Sequence, residues 1–275
     1  MKMMGALRLL LGLALSALLL YGALLAWLYW QQERLIFMPE PLPAAHRFEF
    51  GPDVQEHAVE VSGARLSVLQ LRLPQPRGVV FFLHGNAGNL QGWFGRADFY
   101  RAAGYELVML DYRGYGKSSG RIESEAQLHA DVRAVWHALA PRYAGLPRVI
   151  LGRSLGTALA ARLSAELRPE LTVLVSPYLS MGALMAEHYP FVPAALLRYP
   201  LDTGADLARQ RGPVLLLHGE RDALIPLAHS ERLQALAPGA RLQRIAGAGH
   251  NDLQDFDAYW RALRQALEAL QPSSL

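Results

Sequence analysis

Residues 148–163 read Arg148-Val149-Ile150-Leu151-Gly152-Arg153-Ser154-Leu155-Gly156-Thr157-Ala158-Leu159-Ala160-Ala161-Arg162-Leu163. An apolar run ends in G-x-S-x-G, and a helical pattern follows at once. This spacing predicts a strand, a very tight turn and a helix. Bulky side chains two places before or after the serine would clash in such a turn, so both places are glycine. The turn lifts Ser154 Oγ off the sheet edge to a helix N-terminus, where backbone N–H groups and the helix dipole favour an oxyanion.

The same alternation extends in both directions. Residues 79–83 (VVFFL) read as a buried strand, and 107–110, 149–151, 173–175, 214–217 and 242–245 as further strands. Helical patterns cover 92–103, 124–139, 154–167, 226–236 and 252–270. Before them, 57–61 and 65–73 alternate around Ser62-Gly63 and predict an antiparallel hairpin. The expectation is an α/β fold with a doubly wound, mostly parallel sheet and an N-terminal hairpin. Residues 177–211 interrupt the alternation with Pro190, Pro193, Pro200 and many large apolar side chains, Phe191 and Leu196 among them. They read as a small lid whose Phe191 and Leu196 would line a substrate site, since such insertions gather at the carboxyl ends of strands.

A serine hydroxyl is a weak nucleophile and needs a base. His250 lies in Gly247-Ala248-Gly249-His250-Asn251-Asp252, a glycine-rich loop between the last strand and the last helix. His46, His57, His129, His137, His188 and His229 have no comparable setting and read as surface or core residues. The base needs a carboxylate to orient it. Asp222 follows the strand ending near Leu217 and precedes His250, in the order Ser…Asp…His. Asp202 and Asp206 are alternatives inside the lid; Glu220 precedes the turn, and Asp252 and Asp255 open a helix. The oxyanion donors would be Leu155 N–H and Asn86 N–H, with Ala87 as second choice, from the loop His84-Gly85-Asn86-Ala87-Gly88-Asn89. His84 reads as structural. The stretch 111–120 (DYRGYGKSSG) lacks the spacing of a phosphate loop and reads as a structured turn.

Residues 9–30 carry no charge over 22 positions. A helix of that length rises roughly 33 Å, enough for a hydrocarbon core of about 30 Å. Tyr21, Trp27, Tyr29 and Trp30 gather toward its end, as interfacial aromatics do. No small-x-small site follows, so an uncleaved anchor is expected rather than a signal peptide. Lys2 and Arg8 precede it and predict a cytoplasmic N-terminus with the domain outside. The expected organisation is a basic flank (1–8), an anchor (9–30), an extended proline-bearing stem (31–50) and one domain (51–275). The chain has 275 residues, 52% apolar, net charge +3 and no cysteine. These values exclude a disulfide framework, a thiol nucleophile and cysteine-ligated zinc. The basic residues are dispersed arginines plus Lys2 and Lys117, so no nucleic-acid partner is expected.

Together, 84–89 (HGNAGN), 111–120, 152–156 (GRSLG), Asp222 and His250 resemble the serine α/β-hydrolase superfamily. With the anchor and Arg34-Leu35-Ile36-Phe37-Met38-Pro39, the chain is similar to its single-pass, membrane-anchored members from about Arg34 onward. The resemblance implies an α/β-hydrolase fold and cleavage of acyl esters or thioesters, the acyl group carried by a small molecule or a lipidated partner. It implies no cofactor and no metal. The alternatives are a peptidase of the same fold and a non-catalytic membrane-anchored binding protein.

Overall fold

The computed structural model describes residues 2–270; Met1 and 271–275, the ends of the flank and of the domain as read above, lie outside them. Eight strands form one sheet: β1 (Val54–Val61), β2 (Ala64–Leu71), β3 (Gly78–Leu83), β4 (Tyr105–Leu110), β5 (Arg148–Arg153), β6 (Leu171–Val175), β7 (Val214–Gly219) and β8 (Ala240–Ile245). Their order is β8-β7-β6-β5-β3-β4-β2-β1, parallel from β8 to β4, with β2 antiparallel to β4 and to β1. This is the expected doubly wound sheet with its hairpin, turned at Ser62-Gly63, where Gly63 has φ +76°.

The inner strands, β3 to β7, are buried on both faces because helices cover both. Side chains alternate across a strand. Val79, Phe81 and Leu83 of β3 and Ile150 of β5 therefore join one core. Val80 and Phe82, with Val149 and Leu151, join the other. The first core is closed by α3 (Glu125–Leu139) and α4 (Gly156–Leu167) through Leu128, Trp136, Leu159 and Leu163. The second is closed by α2 (Ala97–Ala103) and α8 (Asp257–Glu268) through Tyr100, Tyr259, Leu263 and Leu267. Each such buried side chain contributes about 1.5–3 kcal/mol relative to exposure. β5 lies deep within the sheet, between β3 and β6, so its carboxyl end presents Ser154 on a rigid floor.

Two segments differ from expectation. The N-terminal helix α1 (Lys2–Ile36) does not end at Trp30, and the residues after it are no free stem. Phe37 is buried in the first core with its ring 5.2 Å from that of Tyr199. Met38 and Pro39 pair in parallel with Ala87 and Gly88, and Leu42 N donates to Gly116 O at 2.7 Å. Phe48 and Phe50 pack on the second core. The chain from 37 to 50 is thus a strap docked along the domain. The 177–211 insertion is also smaller than expected. It contains α5 (Met181–His188) and a turn at Ala194–Leu196, but its last helix, α6 (Thr203–Leu207), packs on α4 and on α7 (Ala228–Leu236). Thr203, Gly204 and Leu207 of α6 are buried, so α6 belongs to the helical layer and not to a lid.

Candidate active site

Ser154 occupies the two-residue turn, Ser154-Leu155, between β5 and α4, with φ +51°. A non-glycine residue there costs about 1–3 kcal/mol of strain and persists only where its surroundings hold it. Here Ser154 N donates to Val175 O at 2.9 Å, and Thr157 donates to Ser154 O from both N (2.9 Å) and Oγ1 (2.6 Å). A Cβ on Gly156 would strike Leu83 O and His84 O, and one on Gly152 would strike Gly156 O. Glycine at both places is therefore a packing requirement that brings the end of β3 against the turn.

His250 reaches the serine from the loop after β8. Gly247 (φ +80°) turns that loop, and Ala248 O accepts from Arg221 N at 2.8 Å. Gly249 N donates to Asp252 Oδ1 at 2.7 Å. His250 Nδ1 lies 2.8 Å from Asp222 Oδ2, and His250 Nε2 lies 3.1 Å from Ser154 Oγ. With Nδ1–H donating to the carboxylate, Nε2 is left to accept the serine proton. Asp222 itself is buried in the turn after β7. Its Oδ1 accepts from Leu224 N (3.0 Å) and Ile225 N (2.8 Å). Burial alone would raise this carboxyl, but hydrogen bonds from His218, His250 and Ile225 outweigh it and hold it well below the usual carboxylate range.

Two functional neighbours carry no motif and were missed. His218, on β7, is fully buried. Its Nε2 lies 2.8 Å from Ile225 O and 3.5 Å from Asp222 Oδ2, and its Nδ1 lies 2.6 Å from Ser230 Oγ. It braces the Asp222 turn from beneath. Arg153, the variable residue before the serine, donates through Nη2 to His250 O (3.0 Å) and Asn251 O (3.4 Å) and lies over the Trp93 ring at 5.3 Å. The signal for His218 was its place on a strand four residues before Asp222. The signal for Arg153 was a long cation beside the nucleophile.

Leu155 N–H and Asn86 N–H have no acceptor among the described residues. The peptide carrying Asn86 N–H is oriented by His84, whose buried Nδ1 lies 2.7 Å from Gly85 O on the same peptide. The following peptide is held by Met38 N (2.8 Å) and Tyr115 Oη (2.7 Å), both donating to Asn86 O. Ala87 is exposed beside it. Burial pushes the His84 imidazole down to about 4 and the Asp111 carboxyl up to about 8. Burial thus disfavours the charged form of each, and both serve as packing and hydrogen-bonding groups.

Ser154, His250 and Asp222 come together; Phe191 and Leu196 do not join them. Their carbonyls accept instead from Tyr21 and Gln32 of α1. Asp202 caps α6 by accepting from Ala205 N at 2.9 Å, and Asp206 pairs with Arg162 and Arg209. A cleft of about 610 Å³ opens beside the turn, lined by Glu40, Asn89, Trp93, Arg96 and Arg153 among others. No cluster of three or more histidine or carboxylate ligands occurs among the described residues.

Residues 74–201 match the family described as serine aminopeptidase S33, and 192–257 match the family described as the alpha/beta hydrolase fold. An uncharacterised protein of Mycobacterium tuberculosis is 34% identical over 255 residues, covering 89% of each chain. Alpha/beta hydrolase domain-containing protein 17B of Xenopus laevis is 32% identical over 219 residues, covering 74% of this chain and 71% of that protein. The Pyrococcus furiosus esterase Pf2001 superposes with a TM-score of 0.67 at 19% identity, covering 85% of this chain and 97% of the esterase.

Proposed function

The chain belongs to the α/β-hydrolase superfamily, and from that premise we propose that it is a membrane-anchored serine hydrolase cleaving acyl esters or thioesters through an acyl-enzyme. The observation that carries this reading is the unbroken line of hydrogen bonds from Asp222 through His250 to Ser154. Ser154 Oγ attacks the acyl carbonyl while His250 Nε2 takes its proton. Asp222 holds the tautomer and stabilises the imidazolium. The Asn86 and Leu155 N–H groups receive the developing oxyanion, a role worth about 2.7–4 kcal/mol per donor. His250 then protonates the leaving alcohol or thiol. In the second half it takes a proton from water, whose oxygen attacks the acyl-enzyme, and returns that proton to Ser154 as the acid is released. No step calls for a cofactor.

A fluorophosphonate probe tests the reaction class: the full-length chain should be labelled, and Ser154→Ala should not. An unlabelled, folded wild-type chain would support the non-catalytic scaffold instead. The match to a family described as a serine aminopeptidase favours a second reading, peptide cleavage. A panel of esters, thioesters and peptides of one acyl series separates the two. Under the acyl reading, kcat/KM rises with chain length, up to about 0.8 kcal/mol per buried methylene. Faster cleavage of peptides would reverse the assignment.

The loop carrying His250 is braced by Arg153. Arg153→Ala should lower kcat by about 10- to 100-fold with little change in KM, because a small misplacement of the base costs rate and not binding. A drop in KM-dependent terms alone would make Arg153 a substrate contact.

The proposed anchor is α1. Its 3–36 stretch is long and apolar enough to span a bilayer, and its apolar side chains lie open. With Lys2 and Arg8 on the cytoplasmic side, an external protease should reach the domain in intact cells. Cleavage only after lysis would invert the orientation.

A further inference from the structure

Residues 191–199 run beside α1 and are bonded to it at several levels. Tyr21 Oη donates to Phe191 O at 2.6 Å. Gln32 Nε2 donates to Leu196 O at 2.7 Å, and Arg198 N donates to Gln32 Oε1 at 2.8 Å. Glu33 accepts from Tyr199 Oη at 2.9 Å and pairs with Arg198 at 2.7 Å. The seam is graded, charged beside Glu33 and apolar beside Tyr21.

Helix geometry converts the seam into a depth. From Leu9 to Tyr21 an α-helix rises only about 18 Å, and from Met3 to Tyr21 about 27 Å, both short of the roughly 30 Å hydrocarbon core. Tilting the helix shortens the rise along the membrane normal further. Whichever residue enters the hydrocarbon first, that layer extends past Tyr21 toward Trp27. A segment bonded to Tyr21 shares its depth.

A second observation concerns the rim of the site. Outside α1, the exposed large apolar side chains among the described residues are Met38 (51%), Tyr189 (57%), Phe191 (53%), Leu224 (51%) and Leu236 (46%). All but Leu236 lie on or next to segments joined to the oxyanion loop or to the Asp222 turn. Met38 pairs with Ala87. Leu224 lies two residues after Asp222, and its carbonyl lies 2.9 Å from His188 Nε2 at the end of α5. Tyr189 and Phe191 follow that helix with their rings 6.3 Å apart. An exposed apolar patch of this kind marks an interaction surface.

We propose that the mouth of the Ser154 site rests on the bilayer that α1 crosses. Met38 and Leu224 meet the headgroup boundary of the leaflet from which the domain emerges, and Tyr189 and Phe191 reach into its acyl layer. Acyl chains then reach Ser154 from the leaflet without crossing water, and the substrates are acyl groups already seated in it. The inference rests on the membrane-anchored reading of α1.

The chain has no cysteine, so single labels can be placed on the full-length protein in phosphatidylcholine–phosphatidylglycerol vesicles. An environment-sensitive fluorophore is attached to Tyr189→Cys, to Leu224→Cys and to Gln75→Cys, the last in the exposed turn before β3 at the opposite end of the strands. With nitroxide-labelled acyl chains in the bilayer, quenching at 189 and 224 should exceed that at 75 by at least threefold. Equal quenching in protein that floats with the vesicles would overturn the docking and leave the anchor standing. Failure to float would overturn both. Tyr189→Asp adds a functional readout. It should slow cleavage of a long-chain ester embedded in vesicles at least fivefold and leave p-nitrophenyl acetate hydrolysis unchanged. An equal effect on both substrates, or none on either, would overturn the proposal. Fluorophosphonate labelling of the same preparations tests the hydrolase reading independently.

Discussion

Ser154→Ala is expected to lower kcat by about four to six orders of magnitude, because the members of a nucleophile–base–acid set act as a unit and only oxyanion stabilisation and binding survive the loss of one. The fold should be kept. The change removes one oxygen from a half-buried side chain, and the bonds that hold the turn run through Ser154 N and O, not through Oγ. The measurement is single-turnover hydrolysis of a chromogenic acyl ester beside a thermal melt. A well-folded variant that keeps more than a tenth of the wild-type rate would remove Ser154 from the mechanism.

Asp222→Asn should lower kcat by about 10³- to 10⁴-fold with a small change in KM, because an amide offers His250 Nδ1 a donor as readily as an acceptor and loses the tautomer. Its ionised state is secured by the surrounding donors. The group has a depressed folded pKa, so its contribution to stability is present above the usual carboxylate range and is lost as the pH falls below it. Acid unfolding of Asp222→Asn should accordingly show a shallower pH dependence than that of the wild type. Asp202→Asn should leave kcat unchanged, since asparagine caps a helix about as well as aspartate. Asp206→Asn should also leave kcat unchanged, since its arginine partners lie on α4 and just after α6. A crippling effect at either position with a mild one at 222 would reassign the acid.

Much of this was readable from local chemistry. Buried parallel strands appear as unbroken apolar runs, and Gly152 and Gly156 announce a turn that tolerates no Cβ. Chain order and strand ends were enough to bring Asp222 and His250 to Ser154. Other features depend on contacts that no local pattern records. β4 begins at Tyr105, not Leu107, because Glu106 inside it is neutralised by Arg142 at 2.7 Å and 3.1 Å from residues outside the strand. α6 looked like lid sequence, and only its packing against α4 makes it core. The continuation of α1 to Ile36 depends on Gln32 and Glu33 meeting residues more than 160 positions away. The roles of His218 and Arg153 arise in the same way, from neighbours brought by the sheet.

The seam between α1 and residues 191–199 also sets an order of events during synthesis. Gln32 and Leu196 are 164 positions apart, so at about 5–20 residues per second the helix waits on the order of ten seconds for its partner. By the end of that interval the ribosome has delivered α1, the strap and Ser154, while the stretch bearing His250 is still unmade. The nascent chain therefore passes through a stage in which Ser154 exists without the histidine that would activate it. The line of hydrogen bonds from Asp222 through His250 to Ser154 forms only as the later third closes over the earlier two.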